Sequence, residues 1–305
     1  MNIETFLEEI KKETEFVGVI NTLDKIQKVE VIPFGIRSLD TITGIGGVPR
    51  GMISELYGAE STTKTSLSLL LVANAQKAGI KCAFVDLENA LTNDLAIRFG
   101  VNPSDLVVAR PIHGEEAFEF IEEMTNKGYG LIIVDSVSAL TPEDELEDDF
   151  DQSTIGLQAR LMSKAMRKII GLIMRTNTAV VFLNQIRDEI GKFGYGEKTT
   201  TSGGRALKFY SALRIKLARI GWLKKGDENA GMTIRAVTAK NKLDRPQRTT
   251  DIEYYWETGF AIEEDKLNAV VTAGGLEIVG RTYFHKKEKI GGKEEAIKYI
   301  NEHNL

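Results

Sequence analysis

Lys64 and Thr65 close the stretch YGAESTTKT, six residues after Gly58. This is nearly the phosphate-binding pattern G-x-x-x-x-G-K-[ST]. Such a loop works because successive backbone N–H groups at a helix N-terminus converge on an anion. The lysine adds a point charge for the outer phosphates, and the hydroxyl enters a Mg²⁺ shell. Gly58, Glu60, Ser61, Thr62, Thr63, Lys64 and Thr65 are therefore the candidate phosphate-binding residues. One residue departs from the pattern. Thr63 stands where the second glycine belongs, and a β-branched residue resists positive φ. If that position requires φ > 0, the strain is about 1–3 kcal/mol. If it is an ordinary first helical turn, only crowding near the phosphates remains.

The second half of such a site is a carboxylate at the end of a neighbouring strand. LIIVDS supplies Asp135, seventy residues after Thr65. It would hold Mg²⁺ directly or through water. Hydrolysis also needs a group that orients or deprotonates water. FVDLENA offers Asp86 and Glu88, which share a face if the strand runs that far. The lesser reading of Asp86 is a helix N-cap. FLNQIR ends a further apolar run with Asn184 and Gln185, amides placed to touch a terminal phosphate and the loop beyond it, or simply to satisfy a strand end.

The elements that must position these groups alternate from residue 36 onward. ISELYG (53–58), KCAFVDLE (81–88), LIIVDSVSAL (131–140) and AVVFLNQI (179–186) read as buried strands. TSLSLLLVANAQKAG, GEEAFEFIEEMTNKG and LMSKAMRKIIGLIMRTN read as helices between them. Near-continuous apolar strands between helices predict a mostly parallel sheet covered on both faces. After about residue 205 the pattern turns strand-rich, which predicts antiparallel extension of the sheet. Residues 2–14 read as a short amphipathic helix followed by the strand-like FVGVI. The reading divides the chain into an N-terminal segment 1–35, a core 36–262 and a small α/β domain 263–305. Two stretches resist assignment: 143–156, with seven carboxylates between Glu143 and Asp151, and the Gly- and Thr-rich 187–204. Long loops of that kind are usually functional or disordered.

The 305 residues carry a net charge of −5, which announces no polyanion partner. Its distribution differs: residues 205–245 hold eleven basic side chains against three carboxylates, a local excess of eight. That surface either binds phosphates or protects a sheet edge. The lone Cys82 excludes an internal disulfide and suits a reducing compartment. No apolar run approaches the roughly 18 residues of a membrane span. The acidic N-terminus lacks a signal pattern. The expected location is the cytoplasm.

Taken together, GVPRGMISELYG, VDSVSALTP, ARLMSKAMRK, FLNQIR, TTTSGGRALKFY and KNK resemble the RecA family of homologous-recombination ATPases, over about residues 30–300. The short chain and diverged loop are like those of a phage-encoded or otherwise distant member. The resemblance implies ATP and Mg²⁺ as ligands, with Lys64 and Thr65 on the phosphates and Mg²⁺, Asp135 at the metal, Glu88 as general base and Gln185 as γ-phosphate sensor. It implies DNA-binding loops near 147–156 and 187–204. Arg160, Ser163 and Arg167, on one helix face, and the main chain of Gly203 and Gly204 would contact DNA. Lys240 and Lys242 would reach a neighbouring protomer's ATP. The N-terminal helix and Phe16 would dock on the adjacent subunit. Lys286, Lys287, Lys289 and Lys293 would guide duplex DNA. The implied function is a recombinase that forms a homo-oligomeric filament on single-stranded DNA, hydrolyses ATP and exchanges strands with double-stranded DNA, with no membrane partner.

Three features depart from the family: Thr63, Leu95 where an aromatic usually faces adenine, and the acidic first DNA loop. Thr63 favours an alternative, an ATP-gated DNA-binding filament or regulatory paralogue without turnover. A hexameric helicase or clock-type ATPase would share the fold, but TTTSGGRALKFY and the C-terminal piece argue against it.

Overall fold

The structure is a computed structural model. It describes residues 28–147, 156–188, 199–303 and 305, together with residues 3, 5, 6 and 10. FVGVI with Phe16, most of the acidic stretch and all of 189–198 lie outside the described residues. The chain forms two units, residues 1–30 and 31–305. In the first, the four described residues up to Ile10 are helical.

The second unit begins with β1 (Val31–Ile32), α1 (Arg37–Ile42) and β2 (Val48–Pro49). β3 (Ile53–Gly58) leads to α2 (Lys64–Lys77), and β4 (Cys82–Asp86) to α3 (Asn93–Arg98). Then come β5 (Leu106–Ala109), α4 (Gly114–Asn126), β6 (Leu131–Asp135), the short α5 (Glu143–Glu147), α6 (Leu157–Thr176), β7 (Ala179–Asp188) and β8 (Thr199–Thr201). After α7 (Ala206–Tyr210) follow β9 (Leu213–Lys225), β10 (Glu228–Asn241), β11 (Thr249–Tyr255) and β12 (Gly259–Phe260). The C-terminal piece comprises α8 (Ile262–Thr272), β13 (Glu277–Val279), β14 (Thr282–His285), β15 (Glu288–Gly291) and α9 (Lys293–Glu302).

The main sheet runs β12-β11-β10-β9-β3-β7-β6-β4-β5. From β9 to β5 every pairing on this path is parallel. β9 to β12 extend the sheet antiparallel, as the change of pattern after 205 suggests. The alternation of the pleat explains the continuous apolar runs. In β6, Leu131 and Ile133 face one core with α2, while Ile132 and Val134 face another with α4 and α6. α2 is buried along most of its length, from Leu67 to Ala75. α6 buries one stripe, Leu161, Met162, Ala165, Met166, Ile169 and Ile173, and starts one turn earlier than its apolar pattern suggests. The C-terminal piece has its own core around Leu267, Val270, Leu276, Tyr283, Ala296 and Ile300. Among the described residues no helix is long and apolar enough to cross a membrane.

Two strands end sooner than their apolar runs. β4 stops at Asp86, so Glu88 lies beyond it and shares no strand face with Asp86. β6 stops at Asp135, and Val137–Ala139 turn as a short 3-10 segment. At the end of β4 a polar side chain takes the backbone out of the ladder. Asp86 accepts from the N–H groups of Ala90 (3.1 Å) and Leu91 (3.3 Å), which bends the chain away.

Glu55 stands in the middle of β3 and is fully buried. Arg214 of β9 donates Nε to its Oε2 and lies over the Tyr57 ring at 4.4 Å. Asn184 of β7 donates to Glu55 Oε1 (2.9 Å) and to the Ser202 carbonyl (3.0 Å). One buried charge pair thus ties three adjacent strands to the segment returning from β8. Glu55→Ala should leave the Arg214 charge buried and uncompensated, at a cost of about 3–5 kcal/mol in urea unfolding. A loss below about 1 kcal/mol would show that water or another carboxylate serves Arg214.

Candidate nucleotide and DNA site

Parallel pairing sets the ends of β3, β6 and β4 beside Gln185 of β7. Gly58 lies opposite Gln185, and Asp86 opposite Asp135. Gly58 permits the turn because a Cβ there would meet the Leu217 carbonyl oxygen at 2.2 Å. The loop then passes through two left-handed residues, Ser61 (φ 55°) and Thr63 (φ 61°). Thr63 is therefore the strained alternative, a β-branched residue in αL at the N-cap of α2. Its hydroxyl donates to the Thr62 carbonyl (2.7 Å), and the Thr62 hydroxyl donates to the Ala59 carbonyl (2.8 Å). Glu60 and Ser61 are exposed on the loop. The first-turn N–H groups of the 14-residue α2 have no intrahelical acceptor, which makes this end an anion site.

Lys64 Nζ donates to the carbonyls of Gly58 (3.2 Å) and Ala59 (2.8 Å). Burial holds its ammonium below the ordinary lysine range, against the pull of Asp135, Glu88 and Glu60. Thr65 donates its hydroxyl to Asp135 Oδ2 (2.6 Å). Burial pushes the Asp135 carboxyl up to about 6, with Glu88 and Asp86 adding to the rise and the Thr65 hydroxyl and Lys64 opposing it. A hydroxyl and a buried carboxylate in contact are hard oxygen donors. They fit Mg²⁺, which takes one or two protein oxygens and completes its shell with phosphate and water. A divalent cation would also offset the buried charge.

Glu88 is exposed on the loop after β4. Its Oε1 accepts from Ser136 Oγ and from Gln185 Nε2 (3.3 Å). The structure therefore brings Lys64, Thr65, Asp135, Glu88 and Gln185 to one end of the sheet. Asp86 is occupied otherwise: besides its two backbone bonds it accepts from Arg110 Nε (3.0 Å). Leu95 is half-buried against the α2-side core.

The family resemblance implies DNA contact by residues of α6 and by the glycines after β8. Arg160 and Arg167 are exposed on α6, while Ser163 donates its hydroxyl to the Ala159 carbonyl (2.8 Å). Gly203 (φ 81°) packs on the turn after β6 and Gly204 (φ 73°) on α6, where Cβ atoms would meet Val137 at 2.8 Å and Ala159 at 2.9 Å respectively. Gly203 N–H donates to Gln158 Oε1 (3.2 Å), so offering it to a phosphate requires exchange of that partner. Lys240 Nζ donates to the carbonyls of Lys208 (2.7 Å) and Phe209 (2.8 Å) at the end of α7. Desolvation and the neighbouring Lys242 and Arg214 lower its pKa, Glu55 opposing. Lys242 lies 5.9 Å from the Phe209 ring.

The basic excess of 205–245 is smaller in space than in sequence. Arg214 is buried on Glu55, Arg235 pairs with Asp251 (2.7 Å), and Arg219 covers Trp222 (4.1 Å). Sequence reasoning missed Gln158, Arg110 and the role of Ser136. Gln158 and Arg110 looked like ordinary surface residues. Glu55 did carry a signal, a carboxylate inside an apolar strand, which demands a buried partner.

Comparison with known proteins agrees with this geometry. The family model described as the RecA N-terminal domain matches residues 1–261. The RecA protein of Wolinella succinogenes is 42% identical over 279 residues, covering 91% of this chain and 80% of its own length. That of Thermus aquaticus is 41% identical over 306 residues, covering 99% and 89%. In structure the chain is similar to a crystal structure of the RadB recombinase, with a TM-score of 0.56 and 20% identity, covering 75% of this chain and 98% of that one. The last likeness concerns the fold alone.

Two outcomes follow from the loop. Asp135 has a folded pKa raised above its unfolded value of 3.8. Its contribution to stability is present below that value and lost as pH rises through about 6. In divalent-free urea unfolding, Asp135→Asn should therefore exceed the unsubstituted protein by about 2 kcal/mol at pH 7, a gap that narrows towards pH 5. An equal gap at both pH values would contradict the buried charge. Thr63→Gly relieves about 1–2 kcal/mol of αL strain and adds up to about 1 kcal/mol of chain entropy cost. It should raise unfolding stability by about 0.5–1 kcal/mol; a loss would show that the loop relies on the threonine's own contacts.

Proposed function

The chain belongs to the RecA family, and on that premise we propose how its residues divide the work. It is a recombinase and a DNA-dependent ATPase, a nucleotide- and DNA-binding protein of a filament-forming family. ATP is the nucleotide in this reading, and Mg²⁺ the metal. The loop 58–65 and the N-terminus of α2 hold the phosphates, with Lys64 leaving the Gly58 and Ala59 carbonyls for the outer ones. Thr65 and Asp135 hold Mg²⁺, which when bound neutralises charge on the phosphates. Glu88 accepts the proton of the attacking water. Gln185, three residues before the end of β7 and bonded to Glu88, reports the γ-phosphate to the segment that follows the strand. The observation that carries the reading is the convergence of these five side chains at one sheet end. A chain that had abandoned turnover would have no need of a proton acceptor held by two donors.

The DNA ligand is single-stranded in this proposal. Arg160 and Arg167 contact its backbone, with Ser163 and the main chain of Gly203 and Gly204 beside them. Lys286, Lys287 and Lys289, exposed on the β14–β15 hairpin, with Lys293 at the start of α9, guide the duplex. Lys240 and Lys242 serve a neighbouring protomer's ATP, and Lys240 must first leave the α7 carbonyls. Among the described residues the sheet ends at β5, where Val107 (38%) and Val108 (42%) stand exposed. An open apolar edge of this kind favours the addition of a further strand, and the segment around Phe16 of an adjacent subunit is our candidate. The C-terminal 263–305, part of the second unit but with its own core, guides DNA.

Glu88→Gln should bind ATP and single-stranded DNA as the unsubstituted protein does and release no phosphate. Near-normal turnover would remove Glu88 from the role. Arg160→Ala and Arg167→Ala should each weaken binding to all sequences alike and flatten the salt slope of single-strand affinity by about 0.7. A defect confined to one sequence would contradict backbone contact.

A further inference from the structure

Glu88 does not stand alone on its loop. Ser136 Oγ donates to Glu88 Oε1, and Ser136 Oγ lies 2.7 Å from Ser138 Oγ. The direction of this chain follows from donor counting. A carboxylate only accepts, and a hydroxyl has one proton to give. Ser136 spends its proton on Glu88, so Ser138 must donate to Ser136. The polarity is Ser138 to Ser136 to Glu88. Each hydroxyl that receives a bond becomes a better donor, and the last bond is charge-assisted. With Gln185 also on Oε1, two donors grip one carboxylate oxygen. Among the described residues no hydrogen bond reaches Oε2, the oxygen left for a proton.

The donors are anchored in different places. Ser136 is buried at the end of β6, directly after Asp135. Ser138 is half-buried on the 3-10 turn Val137–Ala139, which leads towards the acidic stretch. Gln158 at the start of α6 holds that turn, donating Nε2 to the carbonyls of Val137 (2.9 Å) and Leu140 (3.1 Å). The same amide accepts from Gly203 N–H through Oε1 (3.2 Å). Thus the turn bearing Ser138 is fastened to both segments that border the proposed DNA loops.

We propose that Ser136 is a positioning residue for Glu88 and Ser138 its donor, so that the turn held by Gln158 orients the proton acceptor along a route separate from Gln185. The proposal rests on Glu88 as the base. A displacement at Gly203 or Gln158 would move the turn, and through two hydroxyls the carboxylate. Misorientation costs turnover and leaves ATP binding intact, because neither serine belongs to the phosphate loop.

The test is steady-state phosphate release with saturating single-stranded DNA, with kcat and KM for ATP separated. Ser136→Ala should lower kcat about tenfold, the size of one hydrogen bond to a charged acceptor, with KM within about twofold of the unsubstituted protein. Ser138→Ala should lower kcat about threefold, and Ser138→Thr, which keeps the hydroxyl, should restore it. Ser138 is partly exposed, so its variants carry the test if Ser136→Ala does not fold. Unchanged kcat in both alanine variants overturns the proposal, as does a loss shared by Ser138→Thr. So does a rise in KM equal to the fall in kcat. Glu88→Gln run alongside separates the two levels. If it abolishes turnover while the serine variants are normal, the relay alone fails. If Glu88→Gln turns over, the base assignment fails and the relay falls with it.

Discussion

Parallel pairing across β3, β7, β6 and β4 places Lys64, Gln185, Asp135 and Glu88 at one end of a sheet whose two faces are sealed by helices. Charges at that end cannot be fully hydrated, and each must find a partner in the protein or its ligands. Lys64 folds onto the carbonyls of its own loop. Thr65 covers one oxygen of Asp135, whose carboxyl burial still lifts to about 6. Glu88, further out, takes donors from β6 and β7. The same constraint operates one layer down, where Glu55 is affordable only because Arg214 and Asn184 close on it. A phosphate with its cation would satisfy both Lys64 and Asp135 at once, so the site's electrostatics are arranged for a ligand of that composition.

Thr63 is best understood within this balance. The αL geometry costs about 1–2 kcal/mol for a residue with a Cβ, a small part of the total stability of a domain. It leaves the first-turn N–H groups of α2 open. The strain is local, and the lysine, hydroxyl, carboxylate and amide around it keep their places. Leu95 is a similar case. It gives its side chain to the core beneath, so that position offers no aromatic platform.

Much of this was legible in the sequence because the informative residues sit where period changes. Strands β3 and β6 end in Gly58 and Asp135, β7 carries the Asn184–Gln185 pair and runs on to Asp188, and their apolar runs predict both the parallel sheet and its double cover. Recognition of the RecA family rested on such stretches as TTTSGGRALKFY, where Gly203 and Gly204 turn out to be required by contact with Val137 and Ala159. Strand ends were less legible. Apolar periodicity continues through Leu87 and Val137, while the backbone is turned aside by Asp86 and by the 3-10 segment. Charge counting also overreached: it scored Arg214 as surface and took Arg219 and Arg235, which are exposed, as free, while only the fold reveals their partners. Hydroxyl relays such as Ser138–Ser136 carry no sequence signature, since serine near a strand end is common and its direction depends on tertiary contacts.

The central claim is that a phosphate loop with a left-handed threonine still supports turnover and that DNA controls it. It is tested most directly by phosphate release from the unsubstituted protein at saturating ATP and Mg²⁺, with and without single-stranded DNA. The account predicts slow release alone and a clear rise when single-stranded DNA is added. Binding of ATP and DNA with no phosphate released in either condition would contradict it and return the protein to an ATP-gated filament without turnover.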